Sequence, residues 1–155
     1  MCWVDNPKVL SERLALAIRI CTVNKQKPII LNQSELDWET WDDPDLAAKS
    51  PIRWKILISG ERGPSGRLAT GIAEMAPDTL LPLHHHEPEE TYYVISGSGY
   101  VTVEDCEASL SAGASVFIPS NAKHSLRCTG PEKLVFLFTF AADRFDEIIY
   151  HFDVH

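Results

Sequence analysis

Residues 78–97 read DTLLPLHHHEPEETYYVISG and carry the densest cluster of potential ligand side chains in the chain. On an extended strand, side chains alternate between the two faces, so His84 and His86 share one face while His85 points the other way. Glu90 follows four residues after His86, at the start of an apolar, β-prone segment. One strand therefore brings two imidazoles together by backbone geometry alone.

A further histidine stands at the end of residues 113–124, which read GASVFIPSNAKH. The three imidazoles and one carboxylate of His84, His86, His124 and Glu90 make an N3O donor set for one divalent transition metal ion. Imidazole suits zinc, iron and nickel, and the carboxylate admits manganese. The alternative for the histidine run is a solvated surface tract.

The chain from Ile52 onward is a series of short β-prone segments separated by turn residues, with no helical pattern between them. Such a series is typical of an antiparallel sandwich or barrel. The predicted strands are Ile52–Ser59, Arg67–Ala76, Glu90–Ser96, Tyr100–Glu104, Ala114–Ile118, His124–Cys128 and Lys133–Phe140.

The two histidine-bearing stretches resemble the two motifs of the cupin superfamily. The first matches G(x)5HxH(x)3–4E(x)6G from Asp78 to Gly97, with Asp78 where a glycine is usual. The second matches G(x)5PxG(x)2H(x)3N, with Asn121 in place of a glycine and Cys128 in place of the final asparagine. Asp and Asn tolerate the backbone conformations of turns, so these two departures cost little.

The resemblance covers about residues 52–140 and implies an all-β fold, an antiparallel jelly-roll β-barrel of the small, single-domain cupin 2 type. It implies that His84, His86, Glu90 and His124 are the metal ligands. Small cupins often pair, so we expect a homodimer. One cupin barrel hosts dioxygenases, isomerases, lyases, decarboxylases and non-catalytic binders, so the fold does not name the reaction.

The chain outside the barrel divides into two flanking segments. Residues 1–51 are predicted to form an N-terminal helix and an extended arm that pack on the barrel of residues 52–142. The apolar stripe of the helix runs from Leu10 to Cys21 behind Pro7, which suits a first helical position. Residues 143–155 are predicted to form a tail that closes the barrel, and their pattern suits either a helix or a last strand.

Composition limits the classes of partner. The chain has 155 residues and a formal net charge of −8. An acidic surface repels phosphate backbones and anionic lipids, so we expect a small-molecule substrate, with neither nucleic acid nor membrane as a partner. The four cysteines show no C-x-x-C spacing and no signal peptide is recognisable, which favours reduced thiols and a cytoplasmic protein.

Two tyrosines are candidate catalytic residues. Tyr92 lies two positions after Glu90, so its phenol shares the face of that ligand, and a nearby cation would ease its ionisation to a general base. The alternative is that Tyr92 packs inside the barrel with a satisfied hydroxyl. Tyr150 would cap the barrel mouth if the tail folds back as a strand, although simple packing also explains it. Aromatic residues that could line the cavity are Trp54, Phe117, Phe136, Phe138 and Phe140.

The arrangement H-x-H, E-x-Y and a late tyrosine is also similar to that of the short cupin lyases that cleave dimethylsulfoniopropionate. That resemblance implies a metal-dependent β-elimination on a small carboxylate, with a tyrosine as the base. Two alternatives remain open: an iron-dependent cupin dioxygenase, and a non-catalytic metal- or ligand-binding cupin module.

Overall fold

The computed structural model describes residues 28–153, and these residues form ten strands in two five-stranded antiparallel sheets. The first sheet has the strand order β1-β2-β9-β4-β7, and the second has the order β10-β3-β8-β5-β6. The strands are β1 Ile52–Ile58, β2 Ala69–Met75, β3 Leu80–His85, β4 Glu90–Ser96, β5 Ser98–Val103, β6 Cys106–Ser111, β7 Ser115–Ile118, β8 His124–Cys128, β9 Leu134–Phe140 and β10 His151–Phe152.

This double-sheet, antiparallel jelly roll confirms the predicted fold class. The predicted N-terminal helix lies outside the described residues. One α-helix is present within residues 28–153, α1 at Pro44–Lys49, and it begins where the Asp43 carboxylate accepts hydrogen bonds from the backbone N–H groups of Asp45 and Leu46. Two short 3₁₀ turns flank the barrel at Gln33–Glu35 and Phe145–Glu147.

Strand β6 is absent from the sequence prediction. Five of its six residues are exposed, and only Leu110 is buried. The strand therefore lacks the apolar alternation that marks a half-buried strand. Strand β6 forms because it pairs with β5 along its whole length, from Ser98 opposite Ser111 to Val103 opposite Cys106.

The core lies between the two sheets and follows the period of two along each strand. In β9, the alternate residues Phe136, Phe138 and Phe140 are buried against the opposite sheet. Leu126 on β8 and Val94 on β4 are each 1% exposed. Burying each such side chain stabilises the fold by about 1.5–3 kcal/mol, so inward alternation fixes the register of the strands.

The two residues that replace motif glycines both adopt left-handed backbone conformations. Asp78 has φ of 61° and Asn121 has φ of 59°. Asp and Asn are the non-glycine residues that enter this region at least cost. Both turns therefore keep the backbone path of the motif without glycine.

The arm and the tail each join a strand of the barrel. The arm joins β1 through an isolated bridge between Glu39 and Trp54. The tail ends as a strand, not a helix, because β10 pairs with β3 through His151 opposite His85. Among the described residues, no helix has the length and apolar character needed to cross a bilayer.

Candidate metal centre and its cavity

Three buried histidines and one buried glutamate meet between the two sheets. His84 lies in β3 directly opposite His124, the first residue of β8. His86 follows the end of β3, and Glu90 begins β4. None of the four side chains is more than 4% exposed, which excludes the solvated surface tract as the explanation of the histidine run.

The three imidazoles form a compact group of donor atoms. One ring nitrogen from each of His84, His86 and His124 lies within 4.8 Å of those of the others. The ring centroids of His84 and His124 are 4.1 Å apart, and those of His86 and His124 are 4.8 Å apart. The Glu90 carboxylate adjoins two of them, with its Oε2 3.2 Å from Nε2 of His86 and 3.4 Å from Nε2 of His124.

Each imidazole is oriented by a backbone carbonyl on its outer side. The Nδ1 atoms of His84, His86 and His124 lie 2.7, 2.9 and 2.9 Å from the carbonyl oxygens of Pro82, Pro88 and Ala122. A carbonyl only accepts hydrogen bonds, so each neutral ring carries its proton on Nδ1 and leaves the Nε2 lone pair free. Second-shell bonds of this kind orient metal-binding histidines.

Two of the three inner nitrogens make no hydrogen bond within residues 28–153, and the third, Nε2 of His86, lies 3.2 Å from Oε2 of Glu90. The Nε2 atoms of His84 and His124 are buried and make no hydrogen bond with the described residues. Lone pairs that face one another and a carboxylate oxygen repel unless a cation lies between them. The donor set therefore fits a divalent transition metal ion held by three Nε2 atoms and Glu90, and the residues alone do not select iron, manganese, nickel or zinc.

The protonation states suit that use. Burial, with the nearby His124, lowers the pKa of His84 from 6.5 to about 3. Burial by itself would raise the pKa of Glu90, but the imidazoles of His124 and His86 outweigh it and hold the pKa below its usual value. At neutral pH His84 is thus uncharged and Glu90 is ionised, the forms that bind metals.

A small cavity adjoins the cluster. Its volume is about 30 Å³, which corresponds to roughly one water molecule. His84, Glu90 and Tyr92 form its polar end, and the rest of the wall is mostly aromatic. The lining residues beyond those three are Trp41, Ile52, Trp54, Ala73, Leu81, Phe136, Phe138, Phe145 and Tyr150.

Tyr92 lies inside the barrel, 2% exposed, with its ring centroid 6.5 Å from that of His124. Burial and the Glu90 carboxylate, which also accepts a hydrogen bond from the phenol, raise the pKa of Tyr92 well above its usual value. A bound cation would instead lower the pKa of Tyr92, whereas the increase described here comes from the protein groups alone. Easier ionisation of Tyr92 therefore depends on the charge of a metal ion.

Tyr150 packs directly on the histidine cluster. Its ring stacks on His84 with centroids 5.4 Å apart and meets His86 edge-on at 5.5 Å. Burial and the charge of Glu90 raise the pKa of Tyr150. Tyr92 and Tyr150 thus border the same cavity as His84.

The sequence prediction missed two aromatic residues of the cavity wall, and two residues predicted to line the cavity, Phe117 and Phe140, do not line it. Trp41 contacts both Trp54 and Tyr150, at centroid distances of 4.9 and 5.4 Å, but it stands in an acidic stretch without periodicity. Phe145 also lines the cavity from the tail. Phe117 was predicted as a lining residue, but it lies on the outer face of β7 and is 63% exposed. Strand alternation places Val116 and Ile118 inward instead.

A jelly roll that encloses histidines from two motif strands, together with the glutamate that opens the next strand, forms a cupin-type candidate metal site. The family described as Cupin domain matches residues 71–140. Both histidine-bearing stretches lie within the residues that match this family.

Similar proteins agree with this family match. The chain is 38% identical over 101 residues to the dimethylsulfoniopropionate lyase DddW of Ruegeria pomeroyi, covering 65% of this chain and 66% of the lyase. The match therefore spans slightly less than two thirds of that relative. A chain from the crystal structures of the DMSP lyases RdDddP and RnDddQII is 20% identical, with a TM-score of 0.64 over 77% of this chain and 63% of the other.

A third similarity is to the polyketide cyclase RemF from Streptomyces resistomycificus. It is 20% identical, with a TM-score of 0.69 over 83% of this chain and 87% of the cyclase. Structural likeness at this level of identity concerns the barrel and not the reaction.

Proposed function

We propose that this chain is a metal-dependent cupin lyase that cleaves dimethylsulfoniopropionate, or a closely similar small carboxylate, by β-elimination. The observation that carries the proposal is the cavity lined by Glu90, Tyr92, Tyr150 and His84, through which it adjoins the histidine cluster. The 38% identity to a dimethylsulfoniopropionate lyase supports the choice of reaction.

The reaction needs one base and one leaving group. The base removes a proton from the carbon next to the carboxylate, the C–H electron pair forms the C=C bond, and the C–S bond breaks with its electrons remaining on sulfur. The products are acrylate, dimethyl sulfide and one proton held by the base. A divalent ion bound at the cluster would act as a Lewis acid that polarises the substrate carboxylate and acidifies that C–H bond.

Tyr92 is the proposed base because of its position. Its phenol is buried beside Glu90, and its ring packs at 4.9 Å on Phe136, so the hydroxyl has little freedom to leave the site. Holding a base in one orientation next to the reacting carbon contributes much of the rate in such reactions. Tyr150, stacked on His84, is the second candidate for a proton-transfer role.

The aromatic walls suit a sulfonium group. Trp41 and Phe145 are among the aromatic residues that line the cavity, and aromatic faces attract cations that have lost their water. The apolar wall also excludes water from the reacting carbon. The cavity is smaller than this substrate, so the cap formed by Trp41 and Tyr150 has to shift for the substrate to enter.

The test uses the full chain reloaded in parallel with iron, manganese, nickel or zinc, and supplied with dimethylsulfoniopropionate. We expect dimethyl sulfide in the headspace and acrylate in solution in equal amounts, with no oxygen uptake. Metal-free protein is the control for uncatalysed elimination. Oxygen consumption with stoichiometric product would instead indicate the dioxygenase, and no turnover with any of the four metals would contradict the lyase.

The pairing of two chains into a homodimer, the cytoplasmic location and the absence of nucleic-acid and membrane partners stay predictions. Size-exclusion chromatography with light scattering would test the first of these.

A further inference from the structure

The indole N–H of Trp54 has no hydrogen-bond acceptor although it is buried. Trp54 is 8% exposed, and its Nε1 atom is shielded from solvent without a partner among residues 28–153. An indole nitrogen only donates, so it cannot be satisfied in any other way. Buried polar groups without partners are rare in folded proteins and call for a specific explanation.

The neighbouring Trp41 lies in the same cavity wall, and its indole N–H does have a hydrogen-bond acceptor. Trp41 packs edge-on against Trp54, with centroids 4.9 Å apart, and both rings line the cavity. The Trp41 Nε1 donates to the carbonyl oxygen of Ser50 at 3.1 Å. The fold has therefore provided an acceptor for one of two adjacent indoles and left the other available.

The cavity walls around Trp54 offer no acceptor that takes this proton. Its neighbours there are mainly aromatic and aliphatic, including Ile52, Ala73 and Phe145. Glu90 also lines the cavity, but its carboxylate accepts no hydrogen bond from this indole. A molecule that fills the cavity is the remaining source of an acceptor.

We propose that Trp54 is a positioning residue whose Nε1–H donates a hydrogen bond to a carboxylate oxygen of the small molecule bound in this cavity. The choice of a carboxylate rests on the proposed function. A charge-assisted hydrogen bond inside an apolar cavity is stronger than one in water, and it orients the ligand because the donor is part of a rigid ring.

The first experiment compares two Trp→Phe variants. Calorimetry measures the binding of acrylate to the full chain loaded with zinc, which is neither redox-active nor paramagnetic. Trp54→Phe removes the free donor, whereas Trp41→Phe removes similar wall atoms around a donor already bonded to Ser50. We expect Trp54→Phe to weaken acrylate binding at least about tenfold more than Trp41→Phe does.

A surface variant and a stability measurement separate positioning from packing. Trp38→Phe changes a partly exposed ring that lies under Arg53 and Lys55, so it should leave binding within about twofold of the parent. Without ligand, Trp54→Phe should unfold at a temperature no lower than that of Trp41→Phe, because it loses no hydrogen bond. A purely structural Trp54 would show the reverse order.

A second readout follows the unmodified protein and does not require Trp54→Phe to fold, because variants of the other tryptophans are enough to assign the signals. With 15N-labelled indoles, the Nε1–H signal of Trp54, assigned by elimination among single Trp→Phe variants, should move downfield as acrylate is added to the zinc form. The signal of Trp41 should move less. Hydrogen exchange at Trp54 should slow when acrylate is bound.

Three results would overturn the proposal. The first is an equal loss of acrylate affinity in Trp54→Phe and Trp41→Phe, and the second is an indole signal of Trp54 that does not shift at saturating acrylate. The third is a parent protein that binds none of acrylate, propionate and acetate. Each is distinct from a failure of the proposed lyase. If carboxylates bind through Trp54 but no dimethyl sulfide forms, the positioning role of Trp54 is supported and the proposed elimination reaction is wrong.

Discussion

The side chains of His86 and Glu90 face each other across 3.2 Å, measured between the imidazole Nε2 and the carboxylate Oε2. The other nitrogen of this ring is already held at 2.9 Å from the carbonyl oxygen of Pro88. A neutral imidazole in this orientation presents a lone pair to a carboxylate, an arrangement that a cation between them would stabilise.

Metal retention should depend on the inward-facing ligands and not on the histidine between them. We expect His84→Ala and Glu90→Ala to lower metal affinity at least about tenfold. His85→Ala is the matched control, because His85 points to the outer face and stacks on His151 with centroids 4.9 Å apart. Elemental analysis after dialysis measures the ratio of metal to protein. An equal loss of bound metal in His85→Ala would mean that the histidine run binds metal on the surface and not inside the barrel.

The metal-free protein should lose stability as the pH falls. In the unfolded chain His84 takes up a proton near pH 6.5, whereas in the folded chain its pKa is about 3. Between these values the unfolded state holds more protons, so acidification destabilises the fold by up to about 1.4 kcal/mol per pH unit from this group. Urea unfolding from pH 7 to pH 4 measures the slope.

His84→Gln is the control for that slope, since it removes the titrating group and keeps a polar side chain of similar size. The variant should show a shallower pH dependence than the metal-free parent. Glu90 has a pKa below its usual value of 4.5, so it adds stability above pH 4.5 that is lost at lower pH, and some slope persists in both proteins. Identical slopes would assign the pH dependence to other groups.

Tyr92→Phe should keep the metal and lose activity. Removing a general base typically costs a hundredfold or more, so we expect turnover of dimethylsulfoniopropionate to fall at least about 100-fold. Tyr93→Phe is the matched control, because Tyr93 lies on the opposite face of β4 and is 51% exposed. Tyr150→Phe tests the second candidate in the same assay. If Tyr92→Phe matches the parent in turnover, the base assignment is wrong.

Two motif glycines should differ in their tolerance of a side chain. Gly97 and Gly113 both have positive φ, 83° and 91°, so alanine is strained at either position. A Cβ at Gly97 would also collide with the Lys133 carbonyl and lie 2.8 Å from the Leu134 Cα, whereas a Cβ at Gly113 meets nothing within 4 Å. We expect Gly113→Ala to cost about 1 kcal/mol of unfolding free energy and Gly97→Ala clearly more. Urea titrations compare the two.

Much of the fold was predictable because strand alternation is local. The segments Glu90–Ser96 and His124–Cys128 have the same bounds in the prediction and in the structure. Strand β6 was missed because its partner, and not its own apolar pattern, makes it a strand. The error at Phe117 has the same origin, since a phenylalanine on a β-strand does not reveal which face it occupies until the register is known.

The sequence by itself determined the class of barrel and the residues of the histidine cluster, because both depend on fixed spacings along the chain. These are two imidazoles on one strand face, a glutamate four residues later, and turn residues that accept positive φ. Only the tertiary structure decided how the cavity is closed. Trp41, Trp54 and Tyr150 come from an arm, a strand and a tail that are distant along the chain, and they touch through packing that has no periodic signal. Which of the two indoles keeps a free proton depends on where the Ser50 carbonyl lies, and chain folding alone sets that position.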